Sequence, residues 1–191
     1  MRVANKVIAI GASTGGVDAL ELILSALPAS MPPILIVLHM QAGMTRVFAN
    51  HLDSNTRLSV VEAKDGDALE HGKVLIAPSG KHMRVVRRDK QLMLVECKVG
   101  PKVEHCIPSA TVLFDSVADT CGGNAIGVIL TGIGADGSRG LLRMRQKGAF
   151  TIGQNEDSCA VYGMPKVAKE INAVQREMPL NQIARSVMSM A

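Results

Sequence analysis

The sequence predicts an α/β fold: a doubly wound, mostly parallel sheet with helices on both faces and an antiparallel hairpin near one end. Three observations carry this expectation. Short unbroken apolar runs, Val7-Ile-Ala-Ile10, Ile34-Leu-Ile-Val-Leu38 and Ala125-Ile-Gly-Val-Ile-Leu130, read as strands buried on both faces. Amphipathic helical patterns separate the runs; Val17, Leu20, Leu24 and Leu27 share one face before Pro28 stops the helix. The resulting alternation of strand and helix calls for right-handed crossovers between parallel strands.

The other elements follow in order. A helix is expected near Thr45–Leu52, then strands at Leu58–Ala63 and Lys73–Ala77 around the turn Asp65-Gly66-Asp67. Met83–Val86 and Gln91–Val95 flank Asp89-Lys90 as a hairpin. Pro108-Ser109 opens a helix whose Ala110, Leu113, Phe114, Val117 and Cys121 fall on one face. After the third apolar run comes a glycine-rich turn, Thr131 to Gly137, then a helix to Lys147 and a strand at Ala149–Ile152. Helices near Pro165–Ile171 and Asn181–Met190 close the chain. No repeat, linker or low-complexity segment interrupts the 191 residues, so one domain over 1–191 is the expectation.

Composition narrows the function. Nearly half the chain is apolar, at 47%, but only Phe48, Phe114, Phe150 and Tyr162 are aromatic. The core must be aliphatic, and little remains for a platform that stacks bases or sugars. With a net charge of +4 and no long basic run, nucleic acid is not an expected partner. The densest basic stretch, Arg84, Arg87, Arg88 and Lys90, reads as a solvated strand face or a patch for an acidic partner. Cys97, Cys106, Cys121 and Cys159 are widely spaced and lack a CxxC pair, which fits free thiols in a reducing compartment. His105-Cys106 has no second ligand pair at metal-binding spacing, so no metal is expected. The apolar runs are too short for an export signal or a membrane span, and a cytoplasmic location follows as an expectation.

Three polar residues directly follow the three most apolar strands: Ser13, His39 and Asp136. Open α/β sheets bind ligands at the carboxyl ends of their strands, where strand order reverses. If the first strand lies between the other two, these side chains converge on one crevice. Gly11-Ala-Ser-Thr-Gly15 has the G-x-S-x-G form of a strand-to-helix turn that exposes a serine nucleophile, although a plain helix N-cap uses the same residue types. The same stretch approaches G-x-G-x-x-G, but Ser13 occupies the position where a backbone must meet a pyrophosphate. His39 also stands where a dinucleotide site would carry an acid. His39 is the candidate base for Ser13 and Asp136 the candidate orienter of His39, although Asp136-Gly137 also suits an ordinary turn. The chain order Ser, His, Asp differs from that of α/β-hydrolases and of the familiar serine proteases.

These residues, together with Ile8-Ala-Ile-Gly-Ala-Ser-Thr-Gly-Gly16, Leu38-His-Met40, Glu62-Ala-Lys-Asp-Gly66, Ile76-Ala-Pro78, Val128-Ile-Leu-Thr-Gly132, Asp136-Gly137 and Gly163-Met-Pro165, resemble the chemotaxis protein-glutamate methylesterases of the CheB type. The resemblance implies a serine triad at Ser13, His39 and Asp136, with the backbone N–H groups of Thr14 and Ile133 as an oxyanion hole. It implies a substrate in the methylated cytoplasmic helices of chemoreceptors, hydrolysed to glutamate and methanol without cofactor, and deamidation of receptor glutamine in some members. Met40, Met164 and Arg46, beside the His39 loop, are the candidate substrate-positioning residues. A receiver domain, in cis or in trans, is the expected regulatory partner, and direct membrane insertion is not expected. The chain departs from the family pattern at Gln41-Ala-Gly-Met44, at Ile133, and at Cys106-Ile-Pro-Ser-Ala-Thr111, where His-Arg-Pro-Ser-x-Asp is usual. The competing reading is a non-catalytic receptor- or nucleotide-binding module on the same sheet.

Overall fold

Residues that are apolar in every position have nowhere to go but between two layers, and β1 (Val7–Ala12) and β2 (Ile34–Leu38) are buried along their whole length. The computed structural model describes residues 6–89 and 92–191. After β1 come α1 (Gly16–Ser25), β2, α2 (Met44–Asn55), β3 (Ser59–Glu62) and β4 (Lys73–Ile76). The hairpin strands β5 (His82–Arg87) and β6 (Met93–Lys98) follow, then α3 (Ala110–Cys121), β7 (Ala125–Ile129) and α4 (Ser138–Gln146). The chain continues through β8 (Phe150–Gln154), a 3-10 turn (Glu156–Ser158), α5 (Met164–Glu170), β9 (Arg176–Met178) and α6 (Leu180–Met190).

Seven strands form one sheet in the order β3-β4-β2-β1-β7-β8-β9, and every pairing is parallel. The first strand is central as expected, with Ala12 opposite Leu38 of β2 and Gly11 opposite Ile129 of β7. From β1 the chain winds one way through α1 to β2, and from β7 it winds the other way through α4 to β8, so order reverses at the β1–β7 boundary. On one face Ile8, Ile10, Ile34 and Ile36 pack with Leu20, Ile23 and Leu24 of α1, Phe48 and Leu52 of α2 and Ile183 of α6. On the other, Val7, Ala9, Leu35 and Val37 meet Leu113, Phe114 and Val117 of α3, Leu141 and Met144 of α4 and Ala168 of α5. Alternate residues of one strand feed opposite layers, as the two-residue period of a strand requires.

The hairpin is a sheet of its own, β5 against β6, laid on α3 instead of extending the main sheet. Val85 N–H donates to Ser116 Oγ at 2.9 Å, and Met83, Val85 and Val95 enter the α3 side of the core. The expected turn at Lys90 and the start of its second strand at Gln91 lie outside the described residues. Two elements had no sequence expectation: the 3-10 turn and β9. Arg176-Glu-Met178 is too short and too charged to show alternation, and it becomes a strand only by pairing with β8 at the sheet edge. Among the described residues no helix is long and apolar enough to cross a membrane.

Candidate active site

The carboxyl ends of β1, β2 and β7 meet at the point where strand order reverses. Ser13 N–H donates to Thr131 O at 3.0 Å, and His39 N–H donates to Ala12 O at 3.1 Å. The backbone of the serine turn is therefore bonded to both neighbouring strand ends. Gly15, the residue before α1, has φ +80°, and a Cβ there would fall 2.5 Å from Ala160 Cβ. Only glycine fits that turn, which lets α1 start abruptly and leaves Ser13 half-buried and Thr14 exposed at the rim.

Asp136 is buried, with 1% exposure, at the N-terminus of α3. Its Oδ2 accepts from His39 Nε2 at 2.8 Å and from Ala110 N–H at 2.7 Å. Its Oδ1 accepts from Ser109 Oγ at 2.6 Å and from Thr111 N–H at 3.0 Å. Burial by itself would raise the carboxyl pKa; the hydrogen bonds from His39, Ser109, Thr111 and Ala110 outweigh it and hold the group below its ordinary value. Asp136 is thus a carboxylate, which can only accept, so His39 Nε2 carries the proton and Nδ1 is left with a lone pair in the neutral ring. The side chain of His39 keeps 18% exposure, enough to face the crevice.

A second layer fixes this group. Ser109 is the N-cap of α3, accepting from Val112 N–H while donating to Asp136. Thr111 Oγ1 accepts from Gly137 N–H at 2.8 Å, tying the loop after β7 to the same helix end. Thr131 donates to Thr14 O at 2.9 Å and accepts from Val161 N–H at 3.0 Å. Fully buried Gln154 accepts from Thr131 N–H at 2.8 Å and donates to Ser158 O at 2.7 Å. Gly132 lies so close to the serine that a Cβ would sit 2.7 Å from Ser13 Cβ and 2.4 Å from Met164 Sδ.

The other expected residues fall at different depths. The amides of Thr14 and Ile133 have no internal acceptor among the described residues, and the Ile133 side chain is 65% exposed. Met40 is half-buried against the α1–α2 layer. Met164 is fully buried, so its side chain packs beneath Gly132 and does not line an open pocket. Arg46 projects from α2 with 72% exposure, 3.6 Å from Glu62. Among the described residues Ser13 Oγ makes no hydrogen bond to His39. Facing His39 Nδ1 at 3.9 Å is Cys106 Sγ.

Sequence reasoning set the stretch Cys106–Thr111 near the presumed cleft as a departure from the family pattern but gave Ser109, Thr111 and Cys106 no role. Pro108-Ser109 was legible as a helix start, but not that the helix would point at Asp136. Sequence spacing also set aside a metal at His105-Cys106, because its partners lie far off in the chain. The fold brings Cys106 to His39, 67 positions away, and not to His105.

The geometry can be set beside known proteins. A family profile described as CheB methylesterase matches residues 8–187. A protein-glutamate methylesterase/protein-glutamine glutaminase 2 of Syntrophus aciditrophicus (strain SB) is 52% identical over 187 residues, covering 98% of this chain and 54% of the relative. A protein-glutamate methylesterase/protein-glutamine glutaminase 4 of Anaeromyxobacter dehalogenans (strain 2CP-C) is 50% identical over 190 residues, covering 100% and 53%. This chain thus spans about half the length of the curated relatives it matches. The crystal structure of the Thermotoga maritima CheB methylesterase catalytic domain superposes with a TM-score of 0.94 at 32% identity, covering 97% of this chain and 98% of that one.

Proposed function

Because the chain belongs to the CheB methylesterase family, we propose that it is a serine hydrolase that demethylates glutamate methyl esters of chemoreceptor cytoplasmic helices. The observation that carries this reading is the buried Asp136 carboxylate bonded to His39 Nε2, which leaves Nδ1 as the basic atom at the end of the strand next to Ser13. Ser13 Oγ attacks the ester carbonyl as its proton passes to His39 Nδ1, and Asp136 stabilises the imidazolium. The N–H groups of Thr14 and Ile133, both without internal acceptors among the described residues, receive the negative oxygen of the tetrahedral intermediate. The C–O bond then breaks, and methanol leaves with the proton from His39. Water, deprotonated by the same nitrogen, cleaves the acyl-serine to glutamate and restores Ser13.

An amide gives the same acyl-enzyme with ammonia as leaving group, so glutamine deamidation belongs to the proposal. The names of the relatives favour an enzyme over a receptor- or nucleotide-binding module. Met164 is placed here as support for the Gly132–Ser13 contact, while Met40 and Arg46 remain candidates for touching the receptor. A receiver domain, in cis or in trans, is the proposed regulator.

The test is methanol release from methylated receptor membranes, with fluorophosphonate labelling in parallel. Ser13→Ala should fold like the parent, lose all labelling and lose about 10⁴–10⁶-fold in kcat, since only the oxyanion site and binding remain. A folded Ser13→Ala protein that releases methanol at the parent rate would end this mechanism.

A further inference from the structure

The thiol of Cys106 faces the unprotonated ring nitrogen of His39. Its Sγ lies 3.9 Å from His39 Nδ1. Ligand atoms of His39, Cys106 and Asp136 all lie within 4.8 Å of one another, the one such group among the described residues. The backbone of Cys106 is fixed by a pair of hydrogen bonds. Val103 N–H donates to Cys106 O at 3.1 Å and Cys106 N–H to Val103 O at 2.9 Å, closing a tight turn. Its two central residues, Glu104 at φ +49° and His105 at φ +66°, are left-handed without being glycine, and Arg139 pairs with Glu104. Residues other than glycine seldom adopt this conformation unaided, so the surroundings impose this mounting.

Cys106 is not a rival nucleophile. Burial, with Asp136 and Glu104 adding to it against Lys102, pushes the thiol up to about 11, and a protonated thiol attacks poorly. A thiol beside an imidazole is, however, the donor pair that soft divalent cations select.

We propose that Cys106 Sγ and His39 Nδ1 form a binding site for a thiophilic divalent cation, Zn²⁺ or Cd²⁺, which inhibits the hydrolase. Zinc bonds of about 2.3 Å to sulfur and about 2.0–2.1 Å to nitrogen at a tetrahedral angle separate the two donors by about 3.6 Å. The observed 3.9 Å closes to that with a small side-chain movement. Asp136 completes the arrangement from the other side: a carboxylate on the far nitrogen fixes the orientation and tautomer of the ring, as in metal sites generally. Water fills the remaining positions, because His39 is open to the crevice. On binding, the thiol proton goes to solvent, thiolate and imidazole each donate an electron pair, and no oxidation state changes. The occupied Nδ1 can no longer take the proton of Ser13. Inhibition therefore rests on His39 being the base; binding does not.

Cd²⁺ titration followed by the ultraviolet charge-transfer absorbance of a cadmium–thiolate bond tests binding without reference to turnover. The parent protein should develop the band at one equivalent. Cys97→Ser, Cys121→Ser and Cys159→Ser should keep it, and Cys106→Ser should lose it. Even groups one layer out from a metal are worth about 10–100-fold in affinity, so loss of the sulfur should weaken binding by about 100-fold or more. In the unmodified protein Cd²⁺ should also protect Cys106 from alkylation, read by mass spectrometry, which covers a Cys106→Ser protein that fails to fold. A band that persists in Cys106→Ser, or a Cys106 that alkylates equally fast with Cd²⁺, overturns the site. The second arm measures ester hydrolysis with Zn²⁺ and then with a chelator, each variant normalised to its own metal-free rate. Reversible inhibition in the parent and not in Cys106→Ser is expected; binding at Cys106 without inhibition overturns the switching role. A protein that binds Cd²⁺ at Cys106 yet hydrolyses nothing would leave the site standing and remove the esterase reading.

Discussion

Replacing Asp136 by Asn changes one atom and separates the two jobs this carboxylate performs. The amide has one acceptor where the carboxylate has two, so one pair of donors must face an NH₂ group. Placing the NH₂ at the Oδ2 position would oppose Ala110 N–H and force His39 into the other tautomer. At the Oδ1 position it meets Ser109 Oγ, which can rotate to accept, and Thr111 N–H, which cannot. The second arrangement is favoured and keeps the His39 tautomer. Its cost is one orphaned buried N–H, about 1–3 kcal/mol, plus the weakening of three bonds from about 1.5–3 to about 0.5–1.5 kcal/mol each. Relief of the burial cost of a charge offsets part of that, leaving a net loss of about 2–4 kcal/mol. Catalysis loses the counter-charge to the imidazolium. At a charge separation of about 4 Å and an effective dielectric constant of about 20 this is worth about 4 kcal/mol, a factor of about 10³ in kcat. Urea denaturation by linear extrapolation and a continuous methanol assay read the two effects separately. A folded Asp136→Asn protein with parental stability, or with kcat within about tenfold of the parent, would refute this account of the α3 terminus.

Gly132→Ala should cost about 1–3 kcal/mol of stability through contact with Met164 Sδ and Ser13 Cβ. Displacement of the nucleophile should lower kcat by about 100-fold; an unchanged kcat would place Gly132 outside the machinery. Acid should act through Asp136, whose folded pKa lies below the ordinary 3.8. Its contribution to stability is full above the unfolded value and is lost as pH falls through the folded one. The stability gap between parent and Asp136→Asn should therefore narrow below about pH 4, and a gap constant to lower pH would contradict the assigned shift. Arg46, exposed and 3.6 Å from Glu62, is held by a weak pair and is free to meet an acidic surface on the proposed receptor. Arg46→Glu should lower kcat/KM on receptor a few-fold at low salt and leave a small neutral ester unaffected, since charges at a rim act on encounter; equal loss on both would assign Arg46 a role in the chemistry.

What was legible in the sequence was whatever depends on neighbours in the chain. Three all-apolar runs gave three buried strands, and the polar residue after each placed Ser13, His39 and Asp136 at the carboxyl ends of three adjacent central strands. Contacts made through loops were illegible. The cap residues Ser109 and Thr111 reach Asp136 across 27 and 25 positions, and nothing in the local pattern around Pro108 indicates where α3 will point. Met164 stood beside a proline in a matching stretch and looked like a pocket residue; its burial depends on how α5 docks against β7 and β8. The strand β9 exists only because β8 offers it an edge.

Gln154 has a consequence for motion. Its buried amide joins Thr131 to Ser158, and Thr131 in turn holds Thr14 O and Val161. The peptide beside the nucleophile is thereby clamped to the centre of the sheet through side chains that cannot let go one at a time without stranding a buried polar atom. Active-site loops usually belong to the least protected parts of a protein. The amide of Thr131, bonded to buried Gln154, is therefore expected among the slowest hydrogens to exchange. If the proposed activity holds, any movement that admits a receptor helix should fall to the exposed rim at Ile133, with the serine turn as its fixed point.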